Sequence, residues 1–527
     1  MFETITDPMH LTFYRNRLAS RSAFSAHKAG MTLRSLSCVC PFSLCLLVAG
    51  CSDSSSDNPE PLYYSVGGTI SDAQAPVKVI FNGFSFVGAP TETTEILSVA
   101  DGAFKFTGSA RNAEVFESGA NYQISIVAPP SGQVCTVTNS AGVIGTENVT
   151  NITITCDISP LSTITAFKGG EDGGYPDSGL DYGSDGRTFG VTTYGGRYGM
   201  GTIYRYDPAN DSSDVIHNFA GGEADGANPA SGLTLACDGL FYATTTKGGA
   251  HDAGTFLKFT QDGSVTVLHS FGGGFDGELP QGHTIDTRNC PNPSPQFYGT
   301  TTNGGMHGKG TVYTISASGE ESVLHSFGED PAGGLNPTAG LSRSPDNHFY
   351  GTTYLGGEYG RGTFFRITTD GDYTVIHSFG NEADGAFPNT KVRSRDDGSF
   401  YGTTEAGGKY GKGSVFKIGA DRSESVFYSF GADGQSDGQV PASRLRFLDD
   451  GSIYGVTYLG GDYANGSLYK ISPEGVGGVL YSFTGSENDG RLPNSSLLVG
   501  EDGFAYGTTT GGGAYGYGTI FRIDFTQ

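Results

Sequence analysis

The chain has no tryptophan, and only five methionines and eight cysteines among 527 residues. Without indoles it lacks the largest of the aromatic platforms on which sugars stack. Basic residues are scarce as well, with 31 Lys and Arg against 55 Asp and Glu. That balance repels nucleic acid and anionic lipid, so no nucleic-acid partner is expected. The apolar run from Leu36 to Gly50 has fifteen residues and is interrupted by Pro41. It is too short to span a bilayer as a helix. No CxxC pair or Cys/His spacing points to zinc, so neither a metal nor a cofactor is expected. Helical periodicity is missing throughout, which leaves strands to carry the fold.

What the chain has in abundance is glycine, 84 residues, falling at fixed intervals as turn chemistry does. An aromatic-Gly-Thr-Thr phrase recurs seven times from Leu161 onward. Its aromatic is Phe189, Tyr242, Tyr298, Tyr350, Tyr401, Tyr454 and Tyr506, at spacings of 53, 56, 52, 51, 53 and 52. Each unit holds four short strand candidates joined by Gly, Asp and Pro. A four-stranded sheet cannot cover both of its apolar faces alone, and radial stacking on copies of itself solves that problem. The pattern predicts an all-β chain with a seven-bladed β-propeller of four-stranded blades over 161–527. Ser162–Phe167 is expected to complete the blade built from the C-terminal strands and so to clasp the two ends together.

The N-terminus reads differently. A charged start, an apolar middle and small residues before a Cys make 1–50 a signal peptide, with Met31 the expected start of translation. Val48-Ala49-Gly50-Cys51 resembles the bacterial lipobox. The resemblance implies cleavage before Cys51 and lipidation of its thiol. Residues 51–62 then form a flexible tether, and the mature chain keeps 26 basic and 53 acidic residues, a formal charge of −27. Attachment to the membrane would therefore come through the N-terminal lipid, placing the protein in the cell envelope, at the outer membrane or cell surface. Four cysteines remain, Cys135, Cys156, Cys237 and Cys290, an even number that suits two disulfides outside the cytoplasm. Residues 63–159 alternate as strands and form a separate small β-sandwich. It resembles the Ig-like and transthyretin-like sandwiches of bacterial surface proteins through its Tyr-x-Val-Gly-Gly-Thr and Ser-Gly-Gln-x-Cys-Thr-Val phrases. A Cys135–Cys156 bridge would close its last strands, and a Cys237–Cys290 bridge would join adjacent blades.

Tyr401–Ile418 reads Tyr-Gly-Thr-Thr-x-x-Gly-Gly-x-x-Gly-x-Gly-Ser-Val-Phe-Lys-Ile, and Val265–Phe271 ends in Val-Leu-His-Ser-Phe. Together with Asp-Gly-x-x-Pro, these phrases resemble the GloVer tandem-repeat family. The resemblance implies an exported propeller on a surface anchor and implies no catalytic residue. The period also resembles kelch repeats, from which the lack of Trp departs.

The Gly-Gly-x-x-Gly-x-Gly-Thr loop reads as a tight hairpin needing positive φ, because a strand and not a helix follows it. One position in it is Tyr198, His251, His307, Tyr359, Tyr410, Tyr463 and Tyr515. Two residues on stand Met200, Ala253, Lys309, Arg361, Lys412, Asn465 and Tyr517. In a closed ring these make an aromatic circle on one rim, with Lys309, Arg361 and Lys412 as a cationic arc on three consecutive blades. Such an arc would hold an anionic glycan or a protein ligand. The competing reading is a Tyr bracing each hairpin, with solvated Lys and Arg heads beside it.

Other recurrent positions read as structural. His217, His269, His325 and His377 share a position with Tyr428 and Tyr481, an interchange that argues for hydrogen bonding over metal binding or acid–base work. Asp172, Asp225, Asp276, Asp384, Asp437 and Asp489 open Asp-Gly-x-x-Pro in six repeats, while Gly333 breaks the seventh. One Asp per loop suits a turn and is too few for calcium. Thr192, Thr245, Thr301, Thr353, Thr404, Thr457 and Thr509 fill one position and would line the channel or bond across blades. Glu405 is the single charge at the next position. The repeats are filled too uniformly to converge on an acid/base pair, which favours binding over catalysis. The rival is a polysaccharide lyase or hydrolase with its site at the channel mouth, and a third reading is a structural spacer.

Overall fold

The structure, a computed structural model, describes Tyr63–Asp524 apart from residues 75, 85–91, 107–115, 129–132, 230, 273, 282–284, 287–294, 382–383, 433, 435 and 501. The signal, Met31, the tether, Cys51 and Cys290 lie outside the described residues.

The first strands build two four-stranded sheets. One runs Gly102–Phe106, Val66–Ser71, Val149–Ile158, Gln133–Thr138, and the other Glu92–Val99, Val77–Phe84, Asn121–Ala128, Ala141–Val143. Alternate residues of both sheets, among them Ile70, Phe81, Phe106, Ile124 and Ile154, share one buried core. Cys135 and Cys156 face each other on paired strands and are bonded, 21 residues apart. A loop of that length stabilises by about 3 kcal/mol in the chain-entropy model.

From Leu161 onward the described residues form seven antiparallel repeat sheets, numbered here as blades. The third and fourth strands of blades 1 to 6 are Thr202–Asp207 and Ser212–Asn218, Thr255–Phe259 and Val265–Ser270, Thr311–Ser316 and Glu321–Ser326, Thr363–Ile367 and Tyr373–Ser378, Ser414–Ile418 and Glu424–Ser429, Ser467–Ile471 and Gly477–Ser482. Blade 7 is Gly490–Pro493, Phe504–Gly512, Thr519–Asp524 and, as its fourth strand, Leu161–Ala166. The early strand pairs antiparallel with the last one, Leu161 opposite Ile523, so the expected clasp is present.

Seven apolar clusters seal these sheets into a ring. Strand alternation sends neighbouring residues to opposite blades: Leu257 packs with Phe189 and Ile203 of blade 1, while Phe256 packs with Phe297 and Tyr313 of blade 3. The same arrangement links blades 3 to 4, 4 to 5, 5 to 6 and 6 to 7. The last cluster joins Tyr506 and Ile520 of blade 7 to Tyr204 and Tyr206 of blade 1. The Phe of His-Ser-Phe reaches across to an aromatic of the next blade, as with Phe271 and Tyr313 at 5.2 Å or Phe430 and Tyr469 at 4.9 Å. The Gly of Tyr-Gly-Thr-Thr makes room for that aromatic: a Cβ on Gly455 would sit 2.3 Å from the Tyr469 hydroxyl. Blade 2 carries Ala243 there, opposite the shorter Leu257.

A second device locks the blades. The residue before Pro in Asp-Gly-x-x-Pro has left-handed backbone in all seven repeats, at Tyr175, Asn228, Leu279, Asn336, Phe387, Val440 and Leu492, with φ from 53° to 61°. Bulky and β-branched residues are outliers there. Each donates its N–H to the carbonyl of the preceding blade's variable hairpin residue: Asn336 to Lys309 at 2.9 Å, Phe387 to Arg361 at 2.8 Å, Val440 to Lys412 at 3.0 Å, and likewise around the ring to Tyr175 on Tyr517. The following Pro then abuts the glycine that ends that hairpin.

A Cβ on Gly413 would lie 2.6 Å from Pro441 Cδ, whereas Gly411, also at positive φ, has open space around it. Gly411→Ala is expected to cost about 1–2 kcal/mol, the left-handed strain alone, and Gly413→Ala about 1–3 kcal/mol more from overpacking. Urea denaturation of both variants checks this, and equal losses would remove the latch from the account.

Candidate functional site

The hairpins place the predicted rim residues in solvent. Tyr198 and Tyr515 are 52% and 54% exposed, Tyr359 and Tyr410 both 41%. His251, His307, Lys309, Arg361 and Lys412 are exposed as well. Cations lie over several of these rings: Arg197 at 5.6 Å from Tyr198, Lys409 at 5.0 Å from Tyr410, Lys168 at 5.9 Å from Tyr515. The stems of Lys309, Arg361 and Lys412 cover Gly328, Gly380 and Gly431, the glycines that follow the His-Ser-Phe or Tyr-Ser-Phe strands. Each of the three thus has a packed stem and a backbone fixed by the next blade.

Tyr463 departs from this circle. It packs against the sandwich core, and burial, with Asp462 and Asp489 nearby, pushes its hydroxyl up to about 12. The repeat position alone predicted seven equivalent rim aromatics. A contact from outside the repeat removes one of them from the open rim.

The invariant threonines are buried and bond within a blade. Thr192 meets Thr202 at 2.8 Å and donates to the Tyr194 carbonyl, and Thr404 meets Ser414 in the same way. They tie the second strand to the third and hold the hairpin base. Bonds between blades come from the position beside them: Thr193 donates to the Pro229 carbonyl, and Tyr354 to Glu405 at 2.9 Å.

The His/Tyr position and the Asp of Asp-Gly-x-x-Pro prove to be partners at five of the seven blade boundaries. His217 contacts Asp225 at 3.2 Å, His269 Asp276 at 3.2 Å, and His377 Asp384 at 2.8 Å. Tyr481 donates to Asp489 at 2.9 Å and Tyr428 to Asp437 at 3.5 Å. Each Asp also caps backbone N–H groups of its own loop, as Asp225 does for Ala220 and Gly226. His and Tyr interchange because either ring can donate to that carboxylate. Where Gly333 replaces the Asp, His325 stacks on Tyr373 at 4.0 Å instead.

At two of these boundaries a further carboxylate enters at the start of the fourth strand. Glu321 stands by Asp276 in blade 3 and Glu424 by Asp384 in blade 5. Burial and the neighbouring Asp push Glu321 up to about 7 and raise Glu424 in the same direction. A cleft of about 600 Å³ opens over the second cluster, lined by His377, Asn381, Asp384, Lys409, Glu424 and Ser429. The position reads Val265, Glu321, Tyr373, Glu424 and Gly477 in successive blades. No sequence rule marked it; only the alignment of repeats, read across their boundaries, would have shown the two carboxylates meeting an Asp. Of the second pair of predicted bridge cysteines, Cys237 is disulfide-bonded.

A ring of repeat sheets, each sheltering the next, with its hairpins gathered on a rim, defines a β-propeller. The chain belongs to the Gloeobacter/Verrucomicrobia repeat family, whose model matches residues 96–292 and 288–521. The match begins inside the sandwich strands, well before Leu161. No curated protein matches the chain. Among solved structures it is similar to the GH74 enzyme of Niastella koreensis (TM-score 0.45, 14% identity, 69% of this chain and 53% of that one). It is also similar to the oligogalacturonate lyase of Vibrio parahaemolyticus (TM-score 0.42, 11% identity, 69% and 93%) and to a Mycobacterium tuberculosis puromycin-hydrolyzing peptidase (TM-score 0.41, 12% identity, 69% and 55%). Likeness at this level carries no functional argument.

Glu321 supplies a pH test. Its carboxyl titrates near 4.5 when free and at about 7 in the fold. The folded state therefore holds a proton that the unfolded state releases between these values. Stability contributed by the neutral acid falls as pH rises through this window. Glu321→Gln is expected to raise the melting temperature at pH 8 and leave it nearly unchanged at pH 4.5. Thermal melts at both values check this, and an equal shift at each would reject the buried-acid account.

Proposed function

We propose that the chain is an exported, lipid-anchored binding protein of the cell envelope that presents its propeller rim to an anionic ligand, a glycan or other polymer carrying carboxylate or sulfate groups. One observation carries this reading. Lys309, Arg361 and Lys412 occupy the same hairpin position on three consecutive blades. Their backbones are held by identical hydrogen bonds from the next blade, and exposed aromatic faces lie beside them. Charges on a pre-organised frame bind without the ordering cost that flexible loops incur. A linear anion spaced along the ring would meet successive heads in turn, while the acidic remainder of the surface rejects anions lacking that register. The lipid on Cys51 would supply the membrane attachment that a chain of −27 cannot obtain from its own charge.

Affinity electrophoresis against acidic and neutral polysaccharides tests the proposal. Retention by an acidic polymer, weakened at least tenfold in the Lys309→Ala/Arg361→Ala/Lys412→Ala variant and by added salt, is the expected result. Retention unchanged in that variant would displace the rim from its role. Cleavage of the polymer would put the lyase or hydrolase reading first.

A further inference from the structure

The cleft between blades 4 and 5 carries an inference independent of the rim ligand. His377, Asp384 and Glu424 each offer one ligating atom there, and these atoms lie within 4.8 Å of one another; they form the one such His/Asp/Glu group among the described residues. Three further features separate this cluster from an ordinary acidic patch. The Asp384 side chain is only 7% exposed and accepts from His377 at 2.8 Å, so the imidazole is oriented with Nε2 toward the carboxylates. Glu424 Oε1 is shielded from solvent and has no hydrogen-bond partner. Leaving such an atom unpaired is costly. The Lys409 ammonium, in the lining of the cleft, lies 5.0 Å from the centre of the Tyr410 ring.

We propose that His377, Asp384 and Glu424 bind a divalent transition-metal ion, Zn²⁺ or Mn²⁺, with its remaining coordination positions open to the cleft. One imidazole and two carboxylates form a borderline donor set that suits these ions. Calcium draws on six to eight oxygens, which this group does not supply. Three protein ligands beside open space leave room for an exogenous ligand on the ion. The ion would replace the direct His377–Asp384 bond and meet the unpaired Glu424 oxygen, joining two blades through their outer strands. The interchange with Tyr that disfavours metal at this position applies where no second carboxylate arrives. At the boundary of blades 1 and 2 the equivalent of Glu424 is Val265, and at that of blades 5 and 6 it is Gly477.

The repeats themselves supply the variants. Tyr stands at the His377 position in blades 5 and 6 and still donates to its Asp, so His377→Tyr preserves the loop brace. Glu424→Gln keeps the shape of the side chain. His217→Tyr is the control, altering a His–Asp pair that lacks the third carboxylate. Mature protein is stripped with chelator, and Zn²⁺ and Mn²⁺ are titrated by calorimetry, with Co²⁺ absorption reporting the ligand set. The expected result is one equivalent of metal bound by the wild type and by His217→Tyr. Affinity should fall at least a hundredfold in His377→Tyr and Glu424→Gln, while the metal-free melting temperature of His377→Tyr stays close to wild type. No saturable binding by the wild type, or equal binding by all four proteins, would overturn the proposal. Should His377→Tyr be destabilised, Glu424→Gln alone decides, since Gln keeps the shape of the side chain.

Discussion

Everything in this ring depends on a hydrogen bond between neighbours that each blade must strain to make. Seven residues, Val440 and Phe387 among them, hold left-handed backbone that L-residues avoid. Each thereby aims an N–H at the carbonyl of a hairpin in the preceding blade. The Pro that follows and the glycine it abuts fix the spacing, and this explains why Asp-Gly-x-x-Pro and Gly-x-Gly-Thr recur together. The apolar clusters supply most of the cohesion, because burial scales with area and a four-stranded sheet has two faces to hide. They are tolerant of exact angle. The backbone latch is not, and repeated at every boundary it selects one angle between blades.

The same latch gives the rim its character. Hairpin residues on most proteins are free to vary in backbone as well as side chain. Here the variable residue of every hairpin has its carbonyl engaged, so sequence changes alter chemistry at a fixed place. Lys309, Arg361 and Lys412 differ from Met200 and Ala253 in charge and not in position. The His/Tyr–Asp pairs do comparable work on the connection between blades, and the boundary with Gly333 shows its rule by exception. The Asp is absent there, and the histidine turns to the face of Tyr373.

Most of the architecture was legible because it is periodic. The blades, the clasp of 161–166 on the C-terminal strand and the hairpin glycines all follow from a repeat whose sheets cover one another. Positive φ before Pro was not legible: residues preceding Pro are expected to be extended, and only Asn228 and Asn336 hint otherwise. The partnership of His377 with Asp384 was hidden for a different reason. The two are only seven residues apart, but each suited a structural role by itself, and nothing in the spacing showed that the loop turns the carboxylate back onto the ring. Glu424 carried no signal, since its position holds Val, Glu, Tyr and Gly in turn. Tyr463 looked like its six counterparts and is distinguished solely by a domain outside the repeat.

The clasp has a consequence for the order of events in the cell. Ser162 and Arg522 are bonded across 360 residues of chain, so the outer strand of the last blade is synthesised long before its partner exists. At about 5–20 residues per second, that interval is on the order of 20–70 s. Throughout it the strand's hydrogen-bonding edge is bare, a template for another copy of the same segment. A chain built this way needs a guardian until its last strand is made, or an assembly site where nascent copies are kept apart.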